Sequence, residues 1–222
     1  MANALDSNTV KQIGLAAGAS VVGIAAASDF TLAPDGTKPA DALPGCLSVI
    51  VLGVPFPKEA LALAPEAYTE RRNAILLKMT DIAKKTAKRL TALGYAAKAV
   101  SASGGKNVNG QFSGHISLKH AAELAGIGVI TRNYLLTSPQ YGNLLWLSAV
   151  LTDAPLTPDK KIKNTLCTNC GQCVKACPSG ALADPGAFDK DACRRFFVIQ
   201  NKRLLIKCYR CRSVCPLRCG TV

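Results

Sequence analysis

Nine of the ten cysteines in this 222-residue chain lie between Cys167 and Cys219, and their spacing is the clearest chemical signal in the sequence. The first group reads Cys167-x2-Cys170-x2-Cys173-x3-Cys177-Pro178. This is the bacterial ferredoxin spacing for a four-iron, four-sulfur (4Fe-4S) cluster, in which the fourth cysteine binds the other cluster of a pair. The motif therefore predicts a second cluster.

The second group, Cys208-x2-Cys211-x3-Cys215-Pro216, repeats the last three positions of the first. Its first position falls on Leu205, so one thiolate must come from elsewhere. The candidates are Cys193, on a helix predicted from Lys190 to Asn201, and Cys219 in reserve. We predict one cluster on Cys167, Cys170, Cys173 and Cys215, and the other on Cys177, Cys193, Cys208 and Cys211.

A zinc ribbon is the rival chemistry, because paired Cys-x2-Cys units also bind zinc. Tetrahedral zinc needs neither the third cysteine nor the Cys-Pro ends, so the spacing favours iron–sulfur clusters. Cys46, which lies outside both groups, is predicted to be a buried thiol.

The charge of the chain is concentrated in the same region as the cysteines. The chain carries +13, and residues 158–222 contribute 13 Lys and Arg against 4 Asp and Glu. A cluster bound by four thiolates is anionic and needs compensating positive charge. Six basic residues, among others, lie within three residues of a predicted ligand: Lys175, Arg194, Arg195, Lys207, Arg210 and Arg212. Nucleic-acid binding is the weaker interpretation, because no stacking aromatic residues are interleaved with these cations.

The N-terminal sequence argues for a cytoplasmic protein without a membrane segment. Gln12–Ser28 is uncharged, but Asp6 precedes it and no basic region does, which is unlike a signal peptide. No other stretch reaches about 20 apolar residues. Thiols stay reduced in the cytoplasm, so clustered cysteines indicate metal binding rather than disulfides.

The elements that position these residues alternate between helix and strand, which predicts an α/β or α+β sandwich. With 49% hydrophobic residues the chain is globular, and its length suits two small domains, 1–157 and 158–222, joined by a linker over Leu156–Lys163. Ser101–Gly114 is predicted to be a flexible, glycine-rich loop. Predicted helices cover Asp6–Ala17, Glu66–Leu93 and Ser117–Ala125, and predicted strands cover Val21–Ala26, Ser48–Val54, Tyr95–Val100 and Leu144–Thr152.

Two segments before the cysteines carry a resemblance to a known family. Ser117-Leu-Lys-His-Ala-Ala-Glu-Leu-Ala-Gly-Ile-Gly128 and Tyr134–Asp153, followed by the two cysteine groups, resemble the epoxyqueuosine reductases and, more distantly, the corrinoid-dependent reductive dehalogenases. The resemblance implies a nitroreductase-like α/β N-terminal domain that holds base-off cobalamin, beside a two-cluster ferredoxin-like domain. Residues that map onto the corrin-facing segments are Gly126, Gly128, Arg132, Asn133, Ser138 and Gly142.

The sequence departs from that family at the proton donor. The family has a proton-donating aspartate shortly upstream of Ala-Gly-x-Gly, whereas Ser101–Leu124 contains only one acid, Glu123. The resemblance leaves His115 and Tyr141 as candidate donors, with His120 as a further one. The chain also ends six residues after Pro216 without the family's helical-repeat extension, so tRNA is not expected as a substrate. No twin-arginine signal is present, which disfavours a membrane-associated dehalogenase.

Two functions remain open from the sequence. The first is a two-cluster redox protein of an anaerobic metabolism that passes single electrons to a bound corrinoid, for reductive chemistry on an unidentified small molecule. The alternative is a non-catalytic electron-transfer module that docks a redox partner protein. A flavin in a nitroreductase-like pocket is a third expectation.

Overall fold

A computed structural model describes residues 5–101, 106–108, 111–163, 165–183 and 187–221. By its internal contacts the chain divides into two units that interleave along the sequence. Unit 1 contains Met1–Val54, Leu76–Gly128 and Trp146–Ile162, and unit 2 contains Pro55–Ile75, Val129–Leu145 and Lys163–Val222. Residues 55–75 and 129–145 are thus grouped with the cysteine-rich segment. The domain boundary at 157/158 stays a prediction.

Unit 1 is organised around a four-stranded sheet in the order β1-β2-β8-β3. The strands are β1 (Val21–Ala26), β2 (Ser48–Pro55), β8 (Leu145–Thr152) and β3 (Ala97–Val100). β2 and β8 lie in the middle and are buried along almost their whole length, which explains their continuous apolar sequences. All four strands were predicted, and β3 is two residues shorter than expected.

Helices α1 (Ser7–Ala16) and α4 (Leu118–Leu124) pack against β1. The Asp6 side chain accepts a hydrogen bond from Thr9 N at 3.0 Å and so caps α1, as predicted. At Gly23 in β1, a Cβ atom would lie 2.4 Å from the carbonyl oxygen of Ala125. Glycine at this position therefore allows β1 to approach the end of α4 closely.

The long helix α3 spans Pro65–Ala92, close to the predicted Glu66–Leu93. Met79, Ile82 and Leu90 are almost completely buried on one face. Basic side chains of the other face are exposed at Arg71, Lys78, Lys84, Lys85, Lys88 and Arg89. A short helix, α2 (Pro39–Ala42), precedes β2, and Cys46 between them is buried as predicted.

Part of the predicted linker Leu156–Lys163 is bound to unit 1. Asp159 forms an ion pair with Lys11 at 2.5 Å and accepts a hydrogen bond from the backbone N–H of Ile24 at 2.9 Å. The backbone N–H of Asp159 donates in turn to the Ile24 carbonyl at 2.8 Å. These bonds fix this part of the segment along β1.

The prediction of a flexible loop over Ser101–Gly114 is wrong for part of that segment. β4 (Lys106–Val108) and β5 (Gln111–Ser113) pair as antiparallel strands. Residues 102–105 and 109–110 lie outside the described part of the chain. The polar–apolar alternation of Gln111-Phe112-Ser113 is compatible with such pairing, which the glycine content of the loop obscured.

Unit 2 consists mainly of short elements. They are β6 (Val129–Ile130), β7 (Leu136–Thr137), α5 (Gln172–Lys175), α6 (Lys190–Arg194), β9 (Phe197–Gln200), β10 (Arg203–Ile206) and α7 (Arg210–Ser213). The predicted helix Lys190–Asn201 is wrong beyond Arg194. β9 and β10 instead form an antiparallel hairpin whose turn residues, Asn201 and Lys202, have positive φ angles of 50° and 60°. Two such residues are typical of a type I′ hairpin turn.

The mixed α/β class is therefore confirmed, while the nitroreductase-like architecture of the N-terminal part stays a prediction. Within the described ranges, no helix is both long enough and apolar enough to cross a membrane.

Candidate metal centre

The four cysteines predicted to bind the first cluster surround one cavity. Cys167, Cys170, Cys173 and Cys215 all line a cavity of about 120 Å³ within unit 2. Three of them belong to one short loop, and Cys215 arrives from the C-terminal cysteine group. The structure thus brings together residues that are more than 40 positions apart in sequence.

Local backbone conformation explains how the loop from Cys167 to Cys173 wraps this cavity. Asn169 and Gly171 have φ angles of 54° and 75°, in the left-handed region. Glycine and asparagine adopt this conformation most readily. These two residues bend the backbone between the cysteines, so that Cys167, Cys170 and Cys173 line one cavity. Gly171 is also the N-cap of α5.

The cysteines of the second predicted set also lie close together. Cys193 is within electrostatic range of Cys208 and Cys177, and Cys211 is within range of all three. Burial is the largest cause of the raised pKa of Cys193, and repulsion from the neighbouring Cys208 and Cys177 thiolates raises it further. Burial raises the pKa of Cys211 to about 11. Cys219, the reserve candidate, is exposed.

Hydrogen bonds favour the thiolate form at Cys177. Burial opposes ionisation of this thiol, but bonds from the Ser179 side chain and from the backbone of Ser179, Ala181 and Leu182 outweigh it and lower the pKa. Backbone donors directed at a sulfur atom are the usual way to stabilise a thiolate ligand. The surroundings of Cys177 therefore favour its thiolate form.

Asn143 plays a similar part beside the first set. Its side chain hydrogen-bonds Cys215 and, with the Leu217 N–H, favours the thiolate, although burial is the larger effect and raises the pKa of Cys215. Only 1% of Asn143 is exposed. We did not predict this residue from the sequence. The one signal for it was its position directly after Gly142, in the segment Tyr134–Asp153 that resembles the epoxyqueuosine reductases.

Aromatic side chains cover the second set. The ring of Tyr209, next to Cys208, stacks on Tyr68 with centroids 3.8 Å apart, and Tyr68 meets Phe56 edge-on. The Tyr209 hydroxyl donates to the carbonyl of Leu63. Tyr68 is 3% exposed and lies within electrostatic range of Cys211, so the stacked rings lie beside the second set.

Two short helices connect the two sets. α5 carries Cys173 of the first set and is followed by Cys177 of the second, whereas α7 carries Cys211 of the second set and is followed by Cys215 of the first. The helices pack against each other. Each helix therefore leads from one set to the other.

The residues predicted to face a corrin have other contacts within their own units. Nη2 of Arg132 donates to the carbonyls of Leu182 and Ala183, at 2.7 and 3.3 Å. Asn133 donates to the Cys211 carbonyl at 3.3 Å. Arg132 and Asn133 both line the cavity of the first cysteine set.

The glycines and serine of that prediction lie in tight turns. A Cβ on Gly126, where φ is 67°, would lie 2.4 Å from the Lys160 carbonyl oxygen. A Cβ on Gly142 would lie 2.0 Å from the Leu217 carbonyl oxygen. The buried Ser138 exchanges two backbone hydrogen bonds of 2.9 Å with Gly142, and Gly128 ends the turn before β6. Their corrin-facing role stays a prediction.

The three candidate proton donors lie in different places. His115 and His120 belong to unit 1, and Tyr141 belongs to unit 2. Burial and the neighbouring Lys119 lower the pKa of His120, and its Nδ1 is 2.6 Å from the Ser117 hydroxyl. Near pH 7 His120 is therefore mostly neutral, and only a small fraction of it carries a proton to donate. The roles of His115 and Tyr141 stay predictions.

Among the described residues, no three His, Cys, Asp or Glu side chains could hold one metal ion. Thiolates of a cubane bind different irons, so they surround a space instead of converging on one point. The cavity bounded by the first set has this form.

Comparisons with known proteins agree with this site. The 4Fe-4S binding domain matches residues 160–183, which contain the first cysteine group. The epoxyqueuosine reductase of Bacillus subtilis is 34% identical over 119 residues, 49% of this chain and 31% of that protein. The chain thus spans about a third of the length of such curated relatives.

Solved structures show a similar fold at lower identity. An epoxyqueuosine reductase bound to a modified tRNA-Tyr stem loop matches 95% of this chain and 64% of its own, with a TM-score of 0.64 and 19% identity. A reductive dehalogenase, described with a mechanism for B12-dependent dehalogenation, matches 94% of this chain and 31% of its own, with a TM-score of 0.71 and 23% identity. The resemblance to these proteins is therefore confirmed.

Proposed function

We propose that this chain is an iron–sulfur redox protein that holds two 4Fe-4S clusters in unit 2 and transfers single electrons for a reductive reaction. The observation that carries the proposal is the grouping of eight cysteines into two sets of four. Each set contains a member of the other cysteine group, as two-cluster ferredoxin motifs require. The match to the 4Fe-4S binding domain supports the first set.

Bound clusters would supply one-electron redox chemistry at low potential. The protein's own contribution is to hold the thiolates and limit access of water. Asn143 and the backbone around Ser179 stabilise thiolates of the two sets, while Tyr68 and Tyr209 cover one side of the second set. The backbone of α5 links Cys173 to Cys177, and that of α7 links Cys211 to Cys215, so each helix provides a short covalent path between the sets.

The test is anaerobic purification, reconstitution with iron and sulfide, and iron analysis. We expect about eight irons per chain and, after reduction with dithionite, an electron paramagnetic resonance (EPR) spectrum of two clusters. Cys46→Ser is the control, since this thiol belongs to neither set, and it should leave the iron content unchanged. About four irons, or zinc in place of iron, would contradict the proposal.

A corrinoid is the second candidate for the electron acceptor. The fold likeness to a dehalogenase described as B12-dependent supports it. Within unit 2, Arg132, Asn133 and Gly142 also contact the cysteine-rich chain, and their corrin-facing role stays a prediction. We therefore assign no chemical step to a corrinoid.

Gel filtration after incubation with hydroxocobalamin tests this candidate. Co-elution of base-off corrinoid would support a reductase acting on a small molecule. Complete loss of the corrinoid would leave the electron-transfer module and its redox partner protein. Exposed cations on α3, including Lys84, Lys85 and Lys88, suit an acidic partner.

A further inference from the structure

The guanidinium group of Arg132 has one nitrogen held by hydrogen bonds and the other without a partner, and the residue lines a cavity. Nη2 is fixed by the carbonyls of Leu182 and Ala183. Nη1 is buried and has no hydrogen-bond partner among the residues that the structure describes. A buried, charged donor without an acceptor is costly, so its geometry indicates a partner that the polypeptide does not supply.

The cavity beside Arg132 is the one bounded by the first cysteine set. Of the described residues that line it, Arg132 is the only one with a positively charged side chain. The guanidinium charge also favours the thiolate form of Cys173, although burial has the larger, opposite effect on the pKa of that thiol. Arg132 and the four cysteines therefore line the same cavity.

We propose that Arg132 donates a hydrogen bond through Nη1 to the cluster held by Cys167, Cys170, Cys173 and Cys215, and thereby raises its reduction potential. The inference rests on the proposed function and adds a positioning residue to it. Reduction adds one electron to an already anionic cluster and breaks no bond. A fixed, buried cation stabilises the more negative reduced state.

Arginine suits this position better than lysine. Its planar fork places one nitrogen on the two backbone carbonyls and leaves the other buried without a partner, in a residue that lines the cavity. A lysine has one nitrogen and would have to serve either the carbonyls or the cluster. Arg132→Lys should therefore keep the charge but lose part of the effect.

The experiment is an EPR-monitored redox titration of the reconstituted full chain and its variants. Arg132→Gln should change the reduction equilibrium of one cluster by about tenfold, a fall of about 59 mV for one electron, and leave the other cluster unchanged. The reduction potential of that cluster in Arg132→Lys should lie between those of the wild type and Arg132→Gln. The matched control is Lys175→Gln, which removes a charge from an exposed side chain two residues from Cys173. Because solvent screens this charge, Lys175→Gln should change the reduction equilibrium of the cluster by less than about threefold.

Equal shifts of both clusters, or a shift no larger than that of Lys175→Gln, would overturn the proposal. Wild-type protein with fewer than about eight irons would instead overturn the proposed function. If Arg132→Gln loses the cluster, pulsed EPR of wild-type protein with ¹⁵N-labelled arginine decides. A nitrogen coupling that disappears in Arg132→Lys supports the hydrogen bond, and its absence in the wild type refutes it.

Discussion

The eighth cluster ligand can be identified with one pair of cysteine variants. Cys193 lies with Cys177, Cys208 and Cys211, whereas Cys219 is exposed. Cys193→Ser should therefore reduce the iron content of the reconstituted protein from about eight towards about four per chain. Cys219→Ser, which makes the same chemical change, should keep about eight.

The stability of the reconstituted protein should change in parallel. Cys193 divides the chain between Cys177 and Cys208 into loops of about 16 and 15 residues, and its loss merges them into one of about 31. By the loop-entropy relation for covalent cross-links, that merger alone releases about 2 kcal/mol, so loss of the whole cluster should lower the free energy of unfolding by at least that amount. Anaerobic thermal unfolding of both variants measures the difference. If Cys193→Ser kept its iron and its midpoint while Cys219→Ser lost them, the ligand assignment would be wrong.

Three smaller predictions test the surrounding structure. In urea unfolding, Gly142→Ala should destabilise the protein by at least about 2 kcal/mol more than Gly45→Ala. The φ angle is positive at both glycines, 57° and 77°, but of the two only Gly142 would bring its Cβ against backbone, 2.0 Å from the Leu217 carbonyl oxygen. His120 should titrate by NMR below the ordinary pKa of about 6.5, so any stability linked to its neutral form is present above that pH and is lost as the pH falls through the lowered pKa. A titration at higher pH would contradict its described surroundings. Tyr209→Phe should cost about 1 kcal/mol by removing the bond to the Leu63 carbonyl, and should keep the iron content because the stacked ring remains.

Local sequence patterns predicted the regular elements of unit 1 well. A β-branched run gave β2, an apolar run gave β8, and the capped apolar pattern after Asp6 gave α1. The helix predicted across Lys190–Asn201 failed because a short helix and a strand share that apolar run. Left-handed residues at Asn201 and Lys202 reverse the chain there, and Lys202 is not a typical turn residue.

For the candidate site, spacing identified the cysteines but not the residues that surround them. The ligand motif is local, so eight cysteines could be assigned to two sets from sequence. Arg132 and Asn143 come from a segment more than 20 residues earlier, and tertiary packing alone brings them to the cysteines. No local pattern distinguishes their role beside a cluster from the corrin contact that the resemblance implied for Arg132.

The distribution of cations also changes the expected use of the basic C-terminal segment. Among the basic residues near predicted ligands, Lys175, Arg195, Lys207 and Arg210 are exposed. Water and salt screen exposed charges, so these four side chains stabilise a buried cluster only weakly. Arg132, which lies outside the basic segment, is the cation that lines the first cavity. The exposed cations therefore remain available to attract an acidic redox partner, and raising the salt concentration should slow electron delivery to the clusters without shifting the reduction potential that Arg132 controls.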